Sequence, residues 1–134
     1  MPVFASSEEL IEVMENLWKR IKADPSISQK LLQSKLCVRF HYRHPTGQLT
    51  VDGTDGLELK ISTQESKIKP TIEMFMQSDL AHDFWIGKLN LAVAVMSGKI
   101  ISRGPINQVL ALLPVIKPAH SMYIEVFQSV KNKM

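Results

Sequence analysis

The stretch over residues 89–96 most constrains how this chain can fold, because Asn90 is its only polar residue. A helix that is apolar on every side cannot lie on a wet surface, so protein, or protein and an apolar ligand, must enclose it. At eight residues it is far too short to span a bilayer. Gly87 and Gly98 flank the stretch and are suited to end helices. We therefore predict a short, enclosed helix with one side facing a cavity.

The rest of the sequence predicts helices and strands around this helix, from its hydrophobic periodicity and turn residues. In chain order the predicted elements are a helix over residues 6–23, a helix opened by Asp24 and Pro25, strands over residues 36–43, 49–51 and 57–61, a strand over residues 71–77, a helix ending at Gly87, the 89–96 helix, a strand over residues 100–103, and helices over residues 106–113 and 119–131. Short turns join the first three strands, which predicts an antiparallel meander. This order predicts one α+β domain over residues 1–134, with helices covering one face of its sheet.

The charge pattern and the cysteine content restrict the partners that we expect. The net charge is +3, and the basic residues are scattered without a long run, which argues against binding of nucleic acid. The mild positive charge would favour transient contact with an anionic membrane surface, and a merely soluble surface is the alternative. A lone Cys37 predicts no disulfide framework. The N-terminus lacks the pattern of a signal peptide, so we expect a cytoplasmic protein.

No motif predicts catalysis, a metal site or a cofactor. His41 and His44 are three residues apart without a nearby cysteine or carboxylate cluster, so we expect exposed histidines there. Cys37 falls on the polar side of a strand alternation, which predicts a partly exposed, inert thiol. The sequence contains no nucleophile elbow, phosphate loop or dinucleotide-binding fingerprint. We therefore expect a protein that is not an enzyme.

Soft apolar side chains are concentrated in the second half of the chain. They are Met74, Met76, Met96, Met122, Phe84, Trp85 and Phe127. Methionine adapts to irregular shapes and suits pockets that accept varied apolar ligands. An ordinary core that contains several methionines is the alternative interpretation.

The order and spacing of several short motifs resemble the sterol carrier protein type-2 family of lipid-binding domains. The motifs are the acidic helix start Ser78-Asp79-Leu80, the aromatic pair Phe84-Trp85, Gly87-Lys88, Gly98-Lys99 eleven residues later, and the closing Gly104. The resemblance covers about residues 10–113. It implies a five-stranded, mostly antiparallel sheet, helices over one face, and an apolar lipid tunnel between the two layers.

The apolar faces of these elements supply the candidate lipid-binding residues, and the last helix, whose role the resemblance does not cover, contributes through its own apolar face. The candidates are Met74, Met76, Phe84, Trp85, Leu89, Val93, Met96, Ile106, Val109, Leu110, Leu113, Met122, Val126 and Phe127. The register of the strand before Ser78 stays open, because either Ile72, Met74 and Met76 or Phe75 faces the cavity. The helix over residues 119–131 either closes over the cavity as a lid or docks permanently on the core.

The function that the resemblance implies is non-catalytic binding or transfer of an apolar lipid. We expect the protein to be a monomer or weak dimer. A fatty acid, an acyl-coenzyme A, a sterol or a similar lipid would fit such a tunnel. The alternative is an interaction module or accessory domain, which would present an apolar groove to a partner enzyme or a membrane complex.

Overall fold

The computed structural model describes residues 2–65 and 67–133, which fold into one five-stranded sheet with helices packed against it. In chain order the described elements are α1 (Ser7–Ala23), α2 (Pro25–Ser34), β1 (Cys37–Arg43), β2 (Gly47–Asp52), β3 (Lys60–Ser62), β4 (Ile72–Gln77), α3 (Ser78–Trp85), α4 (Leu91–Met96), β5 (Ile101–Arg103), α5 (Ile106–Ile116) and α6 (Ala119–Lys133).

The sheet has the strand order β3-β2-β1-β4-β5, with β1 at its centre. Strands β1, β2 and β3 form the predicted antiparallel meander, and β5 is antiparallel to β4. Strand β4 instead runs parallel to β1, with Phe40 opposite Met74 and Tyr42 opposite Met76. The predicted α+β class with a mostly antiparallel sheet is confirmed. Because side chains alternate along each strand, this register collects apolar groups on one face of the sheet.

The first two helices begin where the capping residues predict. The Glu9 N–H donates to Ser6 Oγ at 3.1 Å, and the Glu9 carboxylate accepts from the Ala5 N–H at 3.1 Å. This pair resembles a capping box, except that the glutamate accepts from the residue before the N-cap instead of from the N-cap itself. Asp24 caps α2, which has Pro25 in its first turn, where the missing proline N–H costs least.

The third strand is shorter than predicted and begins later, at Lys60. The Asp55 carboxylate accepts hydrogen bonds from the Leu57 N–H at 2.8 Å and the Glu58 N–H at 3.2 Å. This local turn competes with the ladder for backbone donors, and Leu57 is left 83% exposed. The alternation over residues 57–61 therefore predicted a longer strand than the turn allows.

The expectation that the helix at residues 89–96 is fully enclosed is wrong. The observed α4 is capped by Asn90, whose side chain accepts from the Val93 N–H at 3.1 Å. Leu91 and Ala94 are buried, whereas Val93 is 60% and Met96 is 87% exposed. So short a helix packs on one side only, because no other element of the described chain covers its second face.

The helix that follows β5 continues through Pro114 to Ile116, beyond its predicted end at residue 113. Proline in the last turn removes only one helical hydrogen bond, so the helix tolerates it there. The break before α6 falls at Lys117–Pro118, and the two helix axes are bent by 78°. Within the described residues no single helix is long and apolar enough to cross a membrane, although α5 and α6 together reach that length and composition.

The C-terminal helix α6 is held against α1 and α3 by buried and polar contacts. Tyr123 is fully buried, and a 2.6 Å hydrogen bond joins its hydroxyl to His82 Nδ1. The Lys131 ammonium pairs with the Glu9 carboxylate and donates to the Val3 carbonyl at 2.6 Å. These contacts favour the docked alternative for this helix.

We expect Lys131→Met to lower the free energy of unfolding by about 2 kcal/mol, because it leaves the Glu9 carboxylate buried without its cation. The loss is smaller than for a fully buried pair because the Lys131 side chain is 34% exposed. Lys133→Met is the matched control, since Lys133 pairs with Glu12 at the surface and should cost below about 1 kcal/mol. Urea unfolding measures both values.

The same pair predicts a pH dependence. Burial raises the pKa of Glu9, but hydrogen bonds from Lys131 and Ala5 outweigh burial and hold that pKa below its usual value. The pair's contribution is therefore present above the ordinary glutamate pKa and is lost as pH falls through the lowered one. The stability difference between wild type and Lys131→Met should shrink on acidification. A difference that does not change with pH would assign the effect to packing.

The glycine that closes the sequence motif is required by a close backbone contact. Gly104 has a φ of +108°, and a Cβ there would lie 2.4 Å from the Thr71 carbonyl oxygen. Gly98 also has a positive φ, +80°, but an added Cβ would meet nothing within 4 Å. The backbone conformation alone costs a non-glycine residue about 1 kcal/mol or more.

We therefore expect Gly104→Ala to destabilise the protein much more than Gly98→Ala. Both variants lose the ease with which glycine adopts a positive φ, and only the first must also push Thr71 away from the start of β4. Thermal unfolding of the two variants compares them directly. Equal losses would show that the approach of Gly104 to Thr71 does not matter for stability.

Candidate functional site

An apolar cavity of about 90 Å³ lies between the sheet and the helices. The strands contribute Val38, Phe40 and Tyr42 from β1, Val51 from β2, and Met74 and Met76 from β4. Residues that lie opposite each other in neighbouring strands place their side chains on the same face of the sheet. The parallel β1–β4 pair therefore brings its apolar side chains to one face. This face forms the floor of the cavity.

The helices supply the opposite wall, and every described helix except α6 contributes to it. Its residues are Trp18 from α1, Leu31 and Ser34 from α2, Ala81, Phe84 and Trp85 from α3, Leu91 from α4, and Val109, Leu112, Leu113 and Ile116 from α5. Leu36, Leu59 and Ile100 complete the lining from segments beside the strands. The cavity thus draws on nearly the whole chain.

The structure brings six of the fourteen candidate lipid-binding residues together in this lining. They are Met74, Met76, Phe84, Trp85, Val109 and Leu113. The same lining shows which side of β4 faces the cavity, since Met74 and Met76 line it. Phe75 lies on the other face of the sheet, stacked on His41, and Ile72 is buried but does not line the cavity. That the six residues contact a lipid remains a prediction.

The other eight candidates lie outside the lining. They are Leu89, Val93, Met96, Ile106, Leu110, Met122, Val126 and Phe127. Val93 and Met96 point to solvent because α4 buries only Leu91 and Ala94. The α6 residues are used instead in docking that helix, as when the Phe127 ring meets the Phe4 ring edge-on at 6.0 Å.

Several lining residues were absent from the predicted set. Trp18 is the largest of them, and its ring lies 5.9 Å from Phe40 and 5.8 Å from Trp85. The strand alternation already placed Val38, Phe40 and Tyr42 on one side. These three residues line the cavity because the helices cover that side of the sheet. The order of the elements along the sequence does not determine which face of the sheet the helices cover.

Few polar groups occur among the described lining residues, and none of those residues is charged. The Ser34 hydroxyl donates to the Leu31 carbonyl within its own helix, at 2.5 Å. Burial raises the pKa of the Tyr42 hydroxyl well above its usual value. Trp18 Nε1 is buried and has no hydrogen-bond partner among the described residues. An unpaired buried N–H is costly, so Trp18 is a donor that a ligand oxygen could satisfy after local adjustment.

The titratable groups of the opposite sheet face stand apart from the cavity. His41 Nε2 lies 2.8 Å from the Glu73 carboxylate, so His41 is half-buried and paired rather than exposed. Arg103 lies over the Phe75 ring at 5.1 Å. Within residues 2–65 and 67–133 no group of three His, Cys, Asp or Glu side chains is placed to hold a metal ion.

The expectation of a partly exposed Cys37 is wrong, because the thiol is buried. The strand end is covered where Thr71 accepts from the Cys37 N–H at 3.2 Å and donates its own N–H to the Cys37 carbonyl at 2.8 Å. Burial, and then the nearby Asp52 carboxylate, raise the pKa of the thiol. A thiol with a raised pKa stays protonated at neutral pH and is a poor nucleophile.

A single mixed sheet, helices on one face and an apolar cavity between them define an α+β domain built around an internal chamber. No protein-family model matches the sequence, and no curated protein matches it. Solved structures do match its fold. Sterol carrier protein 2 from Yarrowia lipolytica superposes with a TM-score of 0.63 at 17% identity, covering 90% of this chain and 95% of that one.

Two further solved structures extend the comparison. The sterol carrier protein domain 2 of Helicoverpa armigera gives a TM-score of 0.64 at 20% identity, over 82% of this chain and 89% of that one. An inverting sec-alkylsulfatase from a Pseudomonas species gives 0.57 at 10% identity, over 67% of this chain but only 14% of the sulfatase. The chain has the sterol carrier protein type-2 fold.

Both tryptophans should report on the cavity, because Trp18 and Trp85 line it and their rings touch edge-on. We expect oleic acid to change the emission of Trp85 in a Trp18→Phe variant and of Trp18 in a Trp85→Phe variant. Fluorescence titration measures this, with binding established separately by native mass spectrometry. Flat titrations in both variants, despite bound oleic acid, would place the ligand elsewhere.

Proposed function

We propose that this protein binds an apolar lipid in the cavity and carries it without changing it chemically. The observation that supports this most is the lining itself, which joins apolar side chains from three strands and five helices around one space. A cavity lined by apolar groups suits an apolar ligand, and each buried methylene would contribute about 0.8 kcal/mol before the costs of binding.

The size of the cavity implies that it must widen around a long lipid. Its 90 Å³ is small against the roughly 300–1,000 Å³ of pockets that enclose drug-sized ligands. Two features would allow widening. Met74 and Met76 have flexible side chains that can repack. Helix α5, all of which is described, lines the cavity with four residues although none of its residues is buried.

The fold comparisons agree with a lipid ligand, since two of the matched proteins are named sterol carrier proteins. Fatty acids, acyl-coenzyme A and sterols remain the candidate ligands. The Trp18 N–H and the Tyr42 hydroxyl are the lining groups that we propose to orient an oxygen of the ligand. Transient contact with an anionic membrane and a monomer or weak dimer belong to the same proposal. The free thiol of Cys37 suits the reducing cytoplasm.

Filling the cavity tests this proposal. We expect Ala81→Leu and, separately, Leu113→Trp to weaken binding of a fluorescent long-chain fatty acid by about tenfold or more, because the added atoms take the place of several methylenes. Ala23→Leu is the control, since Ala23 is exposed and outside the lining. Circular dichroism checks that each variant is folded. Unchanged affinity in both folded variants would contradict binding in this cavity.

A second candidate function is an accessory domain that presents its apolar groove to a partner. The match to a sec-alkylsulfatase favours it, because this fold there corresponds to a small part of a larger enzyme chain. Native mass spectrometry of gently purified protein distinguishes the two. A discrete added mass of lipid supports the carrier, whereas a stable hetero-complex without lipid supports the accessory domain.

A further inference from the structure

The acidic residues of the chain are absent from one long segment. No aspartate or glutamate occurs between Asp83 and Glu125, and we call residues 84–124 the acid-free segment. It contains α4, β5 and α5, and four exposed basic residues: Lys88, Lys99, Arg103 and Lys117.

Half of the twelve basic residues outside the acid-free segment are paired with carboxylates. Lys19, Arg20, Lys22, Lys60, Lys131 and Lys133 each lie within 4 Å of a carboxylate. Among the described residues, Lys88, Lys99 and Lys117 have no such partner. Their charge is therefore open to an anionic partner from outside.

The acid-free segment also carries most of the exposed large apolar side chains. Of the six found among the described residues, four belong to it: Val93, Met96, Ile101 and Ile124. Val93 and Met96 lie one turn apart on α4, so they share one face of that helix. Lys99 follows this helix closely, and its backbone N–H donates to the Ala94 carbonyl at 3.0 Å. Two exposed apolar side chains on α4 are thus followed closely along the chain by an unpaired lysine.

The exposed groups of α4 lie on a helix that also forms part of the cavity wall. Leu91 of α4 and Val109, Leu112, Leu113 and Ile116 of α5 form part of that wall, while the opposite sides of the same helices face solvent. The amphipathic helix α1 offers no comparable surface, since its apolar stripe is buried against β2 and α6. The wall that a lipid would cross most readily therefore lies in the acid-free segment.

We propose that α4 and α5 dock on a bilayer that contains anionic phospholipids. Val93 and Met96 enter the apolar edge of the bilayer, while Lys88, Lys99 and Lys117 contact its head groups. Apolar side chains and cations in this combination are what an interfacial helix needs. The proposal rests on lipid binding in the cavity, because docking there brings the α4–α5 wall against the source of lipid.

Vesicle binding tests the docking surface with matched variants. The apolar pair is removed in Val93→Asp/Met96→Glu, and its control is Leu57→Glu/Ile68→Asp, two exposed apolar positions outside the acid-free segment with the same change in net charge. The charges are reversed in Lys88→Glu/Lys99→Glu, and the control is Lys67→Glu/Lys69→Glu, with the same change in net charge elsewhere on the surface. Co-flotation is measured with phosphatidylcholine vesicles and with vesicles of equal parts phosphatidylcholine and phosphatidylglycerol.

We expect wild type to bind the anionic vesicles and not the neutral ones. Both docking variants should bind the anionic vesicles about tenfold or more weakly, because each loses either insertion or attraction to the head groups. Both controls should stay within about twofold of wild type. Equal loss in a docking variant and its control would overturn the proposal, as would binding that no docking variant weakens.

A solution assay separates failure of this inference from failure of the proposed function. All four variants should bind a fluorescent fatty acid in solution as wild type does, because none alters the cavity lining. A wild type that binds the fatty acid but ignores anionic vesicles would overturn the docking surface and leave the carrier function standing. If Val93→Asp/Met96→Glu abolishes dimers but leaves vesicle binding intact, the surface is a contact with a second copy of the chain. That result would also overturn the proposal.

Discussion

The alternation of side chains along β1 is the constraint on which the rest of this structure depends. As the central strand, β1 is paired on both sides, so each of its residues must face one of two layers. Val38, Phe40 and Tyr42 face the helices, and Arg39, His41 and Arg43 face away. A shift of one residue would exchange the two sets and place charges in the cavity. The parallel partner β4 repeats this division with Met74 and Met76 inside and Phe75 outside.

Two sides of the cavity differ in how firmly they are held. Trp18, Trp85 and Tyr123 form a chain of ring contacts from the cavity to α6, at 5.8 and 6.3 Å, and each pair adds roughly 0.5–1.5 kcal/mol beyond its burial. The hydrogen bond of Tyr123 with His82 fixes the end of that chain. Helix α5 has no comparable anchor among the described residues, since none of its side chains is buried.

Local patterns in the sequence were enough to predict the elements and the class of fold. Alternation predicted β1, and side-chain caps predicted the starts of α1 and α2, because these signals act between residues close in the chain. The buried side of α4 could not be predicted in this way, because the apolar residues of a short helix do not reveal which other elements pack against it. The docking of α6 depends on Lys131 meeting Glu9 and Val3, residues more than a hundred positions away. The candidate site was therefore predicted best on α3 and β4, where the periodicity of the helix and of the strand is enough to determine which side chains face the cavity.

The contrast between α5 and α6 suggests how a lipid could enter without unfolding the domain. Local opening is easiest where few apolar groups are buried, and its free energy can lie far below that of global unfolding. Helix α5 meets that condition, and Pro114 removes a hydrogen bond from its last turn. The sheet and α6 carry the buried aromatic and ionic contacts, so they would keep their arrangement while α5 moves. An element that is apolar enough to close the cavity, yet buried too little to be fixed there, is what reversible loading of a lipid requires.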